Sequence, residues 1–325
     1  VKAAVIGTTF IDCKGFSRQE YSPLGRNLGS IQFVHGGVGR NVAENLALLN
    51  VPTFFVSSVD RSALGGEVAA RLKKSGVDLE FLSHSDSRGM GMWLAILDHC
   101  GDLAGSISQM PNLDLLEELI EEKGHGIMEA SSHIVLEIDL NSRISGRVAG
   151  MAREYGKKLY GIPGNLEVIL NNPELLAYTD CFICNDIEAG KIFKTSLEGL
   201  EAGDLLRELA RFASGSGIPS MVVTLGERGA VYYDSRTSET GYQPVIPTKL
   251  VDSSGAGDAF FSGAVMGLIN KYSLGEAVAY GTRIASWTIQ VEENNCLDLP
   301  FRMREEKLFG NIISAGGKGI SRTAG

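Results

Sequence analysis

Apolar residues along this chain come in short runs that alternate with segments of helical period. "KAAVIG", "TFFVSSVD", "HIVLEI", "KLYGI", "CFICN" and "SMVVTLG" read as strands. Short continuous apolar runs bounded by turn residues suit a sheet buried on both faces. Between them, "GRNVAENLALLN" sets Val42, Leu46 and Leu49 on one stripe and predicts a helix. "ALGGEVAARLKKSG" predicts a helix ending at Gly76. "SRISGRVAGMAREYG", "LEGLEAGDLLRELARFASGSG", "GAGDAFFSGAVMGLIN" and "LGEAVAYGTRIASWTIQ" predict four more. Strands that alternate with helices imply an α/β fold around a mainly parallel sheet.

Two segments break the rhythm. Residues 13–35 hold few long apolar runs and end in "GSIQFVH". Residues 86–109 read as two antiparallel strands, "GMGMWLAILD" and "SISQM", joined by a Gly-Asp turn. Together they predict one small sheet beside the main body, either a flap over a cleft or an extension of the sheet edge. The expected division is a large α/β domain over residues 1–12, 36–85 and 110–315, with the small sheet at 13–35 and 86–109. Residues 316–325 are glycine-rich and read as a frayed end.

Composition narrows the function. The 325 residues carry a formal net charge of −9 and no long basic run, which argues against a nucleic-acid partner. No apolar run is long enough to cross a bilayer, and "VKAAVIGTTF" is a strand pattern rather than a signal peptide, so a cytoplasmic location is expected. The five cysteines form no disulfide framework. Cys181 and Cys184 make a lone C-x-x-C without the second pair that a zinc site needs, and read as small apolar residues of a strand. The histidines show no metal-ligand spacing.

The chemistry concentrates at "VDSSGAGDAFFSGAVMGL", residues 251–268. Gly255 and Gly257 allow close backbone approach just before a helix, whose free N–H groups and dipole favour an anion. Asp258 falls in the first turn, where the dipole is expected to lower its pKa and keep it ionised. An ionised carboxylate repels phosphate. Its work there is to take the proton of a hydroxyl aligned for attack on phosphorus. The plainer alternative is an acid that only stabilises its helix.

A second glycine cluster, "HGGVGRNVAENLALLN" at 35–50, leaves three readings open. Gly37, Gly39 and Val42 imitate a dinucleotide fingerprint with Asp60 downstream, but Val42 is too large for the last position. Gly36 and Gly37 suit close approach of a sugar, with Asn41 offering an amide to its hydroxyls. Tight helix–strand packing is the third. Other polar residues recur at strand ends: Asp12, Glu137, Asp139, Asn185, Glu188, Thr224 and Gly226. Each alone suits a cap or turn; their recurrence favours a ligand beyond the carboxyl ends of the strands.

"GGVGRNVAENLALL" followed by "DSSGAGDAFFSG" resembles the paired signatures of the ribokinase-like (PfkB) carbohydrate and nucleoside kinases. "VVTLGERGAVYY" and "NDIEAG" resemble the nucleotide-side turn and the N-x-x-E segment of that family, so the resemblance covers nearly the whole chain. It implies a three-layer αβα sandwich with a mainly parallel central sheet and a small β-sheet lid. It implies ATP and Mg2+, Asp258 as base, and Gly255, Ala256 and Gly257 as the anion hole. Asp12, Gly36, Gly37 and Asn41 match the sugar contacts. Asn185 and Glu188 match the residues that organise magnesium through water and the phosphates, and Thr224, Gly226 and Gly229 match the nucleotide side. Asp252 falls where many members contact a monovalent cation such as K+, with a second loop near residues 291–297. A homodimer through the lid is a further expectation.

Within the family, the first signature most resembles the pseudouridine kinase branch. "EIDL" resembles that branch's acid-x-Asn-Leu, which places Asp139 among the substrate contacts, while "GIPGNLEVI" differs from its Pro-Val-Ser followed by Lys. The implied activity is transfer of phosphate from ATP to a primary hydroxyl of a ribose-bearing small molecule, pseudouridine first. Ribose, fructose or another nucleoside are alternatives, and a non-catalytic sugar- or nucleoside-sensing protein on the same scaffold is a different class. Lys14 and Arg18 in the lid could touch a base or a phosphate, but solvation is the expectation.

Overall fold

Alternation along the strands sets the architecture. A computed structural model describes residues 1–164 and 166–310. The strands are β1 (Ala3–Ile6), β2 (Phe10–Ser17), β3 (Gly29–Gly36), β4 (Thr53–Asp60), β5 (Leu82–Ser85), β6 (Gly91–Leu97) and β7 (Leu103–Gln109). There follow β8 (His133–Glu137), β9 (Lys158–Ile162), β10 (Cys181–Asn185), β11 (Ser220–Thr224), β12 (Ala230–Asp234) and β13 (Glu239–Gln243). Nine of them form one sheet in the order β13-β12-β11-β10-β9-β8-β1-β4-β5. It is parallel from β11 through β5, and β12 and β13 add an antiparallel edge.

Successive residues of a strand face opposite ways, and both faces are covered. Ala3 and Val5 join one core with Phe55, Val135 and Val222; Ala4 and Ile6 join another with Val56, Leu136 and Val223. The first face is covered by α1 (Val38–Leu48), α2 (Ala63–Lys74) and two later helices, and the second by α3 (Asp114–Ala130), α4 (Ser142–Glu154), α5 (Glu167–Asn171), α6 (Asp186–Phe193) and α7 (Ala202–Ser216). The two later helices of the first face, α8 (Ala256–Ile269) and α9 (Leu274–Thr288), touch through small residues, and α10 (Leu299–Glu305) closes that side. A Cβ on Gly263 would stand 2.9 Å from Gly281 Cα, so that contact needs both glycines. The result is the expected αβα sandwich.

Four strands form the separate sheet, in the order β3-β2-β6-β7. β6 and β7 are antiparallel and turn through 98–102, as the pattern predicts. β2 already begins at Phe10 and β3 runs to Gly36, so the strands of this small sheet themselves carry Asp12 and Gly36. The expected boundaries at 13 and 35 fall inside these strands. The glycine-rich tail, residues 316–325, lies outside the described residues.

The C-x-x-C does not form a unit. Cys181 packs into one core and Cys184 into the other, on opposite faces of β10. Burial pushes the Cys181 thiol up to about 12 and Cys184 well above its ordinary value, so both stay protonated and inert.

Candidate active site

The parallel strands end on one side of the sheet, and the predicted residues gather there. Gly255 is the N-cap of α8 with φ 75°, and a Cβ on it would stand 2.1 Å from Asn294 O. Both facts demand glycine. The Ala256 amide closes a turn onto Ser253 O at 3.2 Å, which leaves the following first-turn amides as the donors that a helix start provides.

Asp258 sits in that first turn, and Asn41 Nδ2 donates to its Oδ2 at 2.7 Å. The two residues are 217 positions apart in the chain. The carboxyl is not held ionised by the helix dipole, as the sequence suggests. Burial pushes it up to about 7; the Asn41 hydrogen bond and Arg40 pull it down, and Glu188 and Asp12 push it further up. Desolvation outweighs the partial charge of a helix start, which is worth about 1 kcal/mol or less.

Arg40 fixes the Asn41 amide. It is fully buried, its Nη1 lies 2.6 Å from Glu44 Oε2, and its Nη2 donates to Asn41 Oδ1 and to His35 O. With Asn41 Oδ1 engaged by a donor, the amide nitrogen must face Asp258. Glu44 also receives Arg71 at 2.9 Å and Ser75 Oγ at 2.8 Å, and Arg71 reaches Glu293. Arg40 and Glu44, both fully buried, lie beneath the site.

The geometry around the second glycine cluster differs from one glycine to the next. A Cβ on Gly36 would stand 2.7 Å from an Asp12 carboxylate oxygen, so Gly36 clears space at a polar group. A Cβ on Gly39 would stand 2.5 Å from Gly7 Cα, so Gly39 serves helix–strand packing. Gly37, with φ 94°, caps α1. Asp60, the acid of the dinucleotide reading, instead accepts the Gly89 amide.

Asp12 is half-buried. Burial raises its pKa, against the Asn294 hydrogen bond and the charges of Lys14 and Arg40. Asn294 Nδ2 donates to Asp12 Oδ2 at 3.3 Å and to His35 O at 3.0 Å, and Asn295 Nδ2 donates to Asn41 O at 2.8 Å. The loop around 291–297 therefore braces Asp12, His35 and Asn41. Nothing local in "EENNCL" signals this; the contact joins residues 282 positions apart.

Glu137 and Asp139 lie deeper. Glu137 accepts the Thr8 amide at 2.7 Å and the Gly39 amide at 3.3 Å, and burial pushes it up to about 7 despite the Thr8 hydrogen bonds. Asp139 is 2% exposed and accepts the Gly164 amide at 2.6 Å. Asn185 and Glu188 form a capping box at the start of α6, each side chain receiving the other's amide at 2.8 Å. Burial raises Glu188, helped by Asp139. They flank the end of β10 beside Thr224 of β11, whose Oγ1 donates to Cys184 O at 3.4 Å.

A cleft of about 490 Å³ opens beyond them, bordered by Thr224, Gly226, Gly229, Ala256 and Gly257. Its other walls are largely apolar: Val245, Pro247, Leu250, Phe260 and Ile289. The turn at 255–257 thus lies between this cleft and Asp258, which faces Asn41. Asn185 and Glu188 border a neighbouring recess instead.

Lys14 corrects an expectation. It is 8% exposed, and its Nζ lies 3.5 Å from Asp252 Oδ2 and 3.4 Å from Ser254 Oγ, whereas Arg18 is exposed as expected. A buried ammonium is tolerated when paired.

Residues 2–299 match the pfkB family carbohydrate kinase. The chain belongs to that family. A guanosine-inosine kinase of Exiguobacterium acetylicum is 38% identical over 90% of this kinase and 96% of its own length. The pseudouridine kinase of Escherichia coli is 26% identical over 91% and 92%. The solved Arabidopsis thaliana ribokinase with ribose and ATP superimposes with a TM-score of 0.77 at 20% identity, covering 92% of this chain and 98% of that one, which shows a shared fold. This kinase is accordingly an ATP-dependent sugar or nucleoside kinase. No described helix is long and apolar enough to cross a membrane.

Proposed function

We propose that this kinase transfers the γ-phosphoryl group of ATP to the primary 5′-hydroxyl of a ribonucleoside. The observation that carries the proposal is the Asn41–Asp258 pair at the mouth of α8, between a polar pocket and a largely apolar cleft. ATP lies in the cleft, with its terminal phosphate at the Gly255–Gly257 turn. The ribose sits against Asp12, Gly36 and Asn41. The 5′-oxygen bonds to phosphorus, the bond from phosphorus to the β–γ bridging oxygen breaks, ADP leaves, and the hydroxyl proton goes to Asp258. A base whose pKa lies near the working pH suits that transfer.

Burial raises the carboxyls of Asp12, Glu188 and Asp258 around the site, and the charge of Asp139 adds to the rise at Glu188. Hard carboxylate oxygens suit Mg2+, and Glu188 and Asn185 would hold it largely through water. When bound, Mg2+ supplies charge neutralisation between these acids and ATP. Five free cysteines suit a reducing, cytoplasmic setting.

Guanosine and inosine are the first acceptors to try, because similarity to the purine nucleoside kinase exceeds that to the pseudouridine enzyme. Pseudouridine is the second reading, supported by the "GGVGRNVAENLA" form of the first signature. Coupled ADP release across guanosine, inosine, pseudouridine, ribose and fructose tests both. Turnover with free ribose or fructose equal to that with nucleosides would refute a nucleoside acceptor.

The outer face of the lid also suits a second copy of the chain. Phe33, Cys13, Leu94 and Ile107 lie in cross-strand register, with Phe33 57% and Ile107 69% exposed. A self-complementary apolar face of this kind pairs by two-fold symmetry. Sedimentation should show a dimer that Phe33→Glu with Ile107→Lys converts to monomer; a wild-type monomer at micromolar concentration rejects it.

A further inference from the structure

The lid delivers a cation to the turn that presents the anion hole. Asp12 and Lys14 lie two positions apart on β2 and so share a face. Asp12 goes to the acceptor pocket. Lys14 crosses to the body of the molecule and meets Asp252 and Ser254, which immediately precede the Gly255 cap of α8. The Asp252 carboxylate is engaged on both oxygens: Oδ2 by Lys14 Nζ, Oδ1 by the Ser254 amide at 2.7 Å. Burial opposes its ionisation, but the Ser254 hydrogen bonds and Lys14 together hold it below the usual carboxylate range.

A monovalent cation at Asp252, which the family resemblance implies, does not fit these residues, because the carboxylate already has an ammonium. We propose that Lys14 is a built-in monovalent cation, a positioning residue whose ammonium neutralises Asp252 and holds the 252–255 turn in place of bound K+. The anion hole then depends on lid contact rather than on K+. This rests on the kinase reading above for its catalytic consequence, though not for its cation chemistry.

The test compares wild type, Lys14→Met and Lys14→Arg in KCl, NaCl and tetramethylammonium chloride at equal ionic strength. Melting temperature and phosphoryl transfer are both read. Wild type should show the same melting temperature and the same kcat/KM in all three salts. Lys14→Met should lose about tenfold or more in kcat/KM in tetramethylammonium, the scale of a lost charge-assisted contact, and should recover several-fold in KCl. Its melting temperature should rise in KCl relative to tetramethylammonium. Lys14→Arg should keep most activity without salt preference.

Specific activation or stabilisation of wild type by K+ would overturn the proposal. The side-chain oxygens of Asn294 and Asn295, buried and without a hydrogen-bond partner, would be where to look for that ion. Lys14→Met indistinguishable from wild type would overturn it too, as would a Lys14→Met defect that K+ does not relieve. If no acceptor is phosphorylated by any variant, the kinase reading fails alone, because the melting temperatures still report whether K+ replaces the ammonium. If Lys14→Met does not fold, the salt response of wild type and of Lys14→Arg decides.

Discussion

The side of this site proposed to hold the acceptor and the side proposed to hold the nucleotide are built from opposite materials. Around Asp258 the structure is polar, charged and buried: Asn41, Asp12, Arg40, Glu44 and Asn294 form one connected set of hydrogen bonds and ion pairs. Across the anion hole, the cleft is walled by Val245, Pro247, Leu250 and Ile289, with glycine turns at 226 and 229. The acceptor side fixes directions and proton affinity. The nucleotide side offers shape and backbone. Substitutions on the first should therefore damage the chemical step, and substitutions on the second should damage ATP affinity alone.

The sharpest break in that contrast is Asp258→Asn. The amide keeps the shape of the carboxyl but takes no proton. Phosphoryl transfer should fall about 10²–10⁴-fold, the usual share of general base catalysis, with ATP affinity nearly unchanged. Single-turnover kinetics and ATP titration read the two separately. Full turnover in this variant would leave Asp258 as an acid that merely starts a helix.

Asn41→Ala acts one step back. Its amide lowers the Asp258 pKa, so removal should cost on the order of 10- to 100-fold in kcat/KM, as expected for a hydrogen bond to a charged group. It should also move the acidic limb of the kcat/KM profile upward from its wild-type position near pH 7. A uniform loss with no movement of that limb would make Asn41 a substrate contact only.

The contrast also explains what the sequence makes legible. The central strands announce themselves because both faces are buried, and "DSSGAGDAFFSG" carries its chemistry in adjacent residues. β13 does not: its "ETGYQ" is an edge strand whose only signal is its pairing with β12. α3 contains Gly124 and Gly126, and it is packing of Leu116, Leu119, Ile120 and Ile127 that makes it a helix. In the site, Asn294 is invisible because it acts on residues far away in the chain. Arg40 and Glu44 are charged, and charge in a helical pattern ordinarily marks the solvated face. Alternation along β2 does place Lys14 beside Asp12, but its partner across the cleft is a matter of tertiary structure. The proton affinity of Asp258 follows from burial, which no local pattern encodes.

On the nucleotide side, Ala285→Trp should partly fill the cleft that Ala285 borders. KM for ATP should rise about tenfold, a loss of roughly 1.4 kcal/mol, with kcat at saturating ATP and KM for the nucleoside little changed. An equal loss in kcat would mean that the two sides are mechanically joined through α8 and α9, which pack closely at Gly263 and Gly281.

The smallest expected effect concerns stability. Asp258 rises from 3.8 to about 7 on folding, so between these values the folded chain binds a proton that the unfolded chain releases. The group therefore favours the fold fully below about pH 4, and that contribution is lost as pH rises through 7. Glu137, also raised to about 7, acts in the same direction. Asp258→Asn removes the cost of holding this carboxylate ionised at alkaline pH. The variant should melt several degrees above wild type at pH 8, and the gap should close toward pH 4. An inactive variant more stable than its parent at pH 8 would mean that the acceptor side keeps a strained charge for its chemistry. A variant less stable than wild type at every pH would mean that the Asn41 hydrogen bond outweighs desolvation, and the polar side would then hold the fold as well as the substrate.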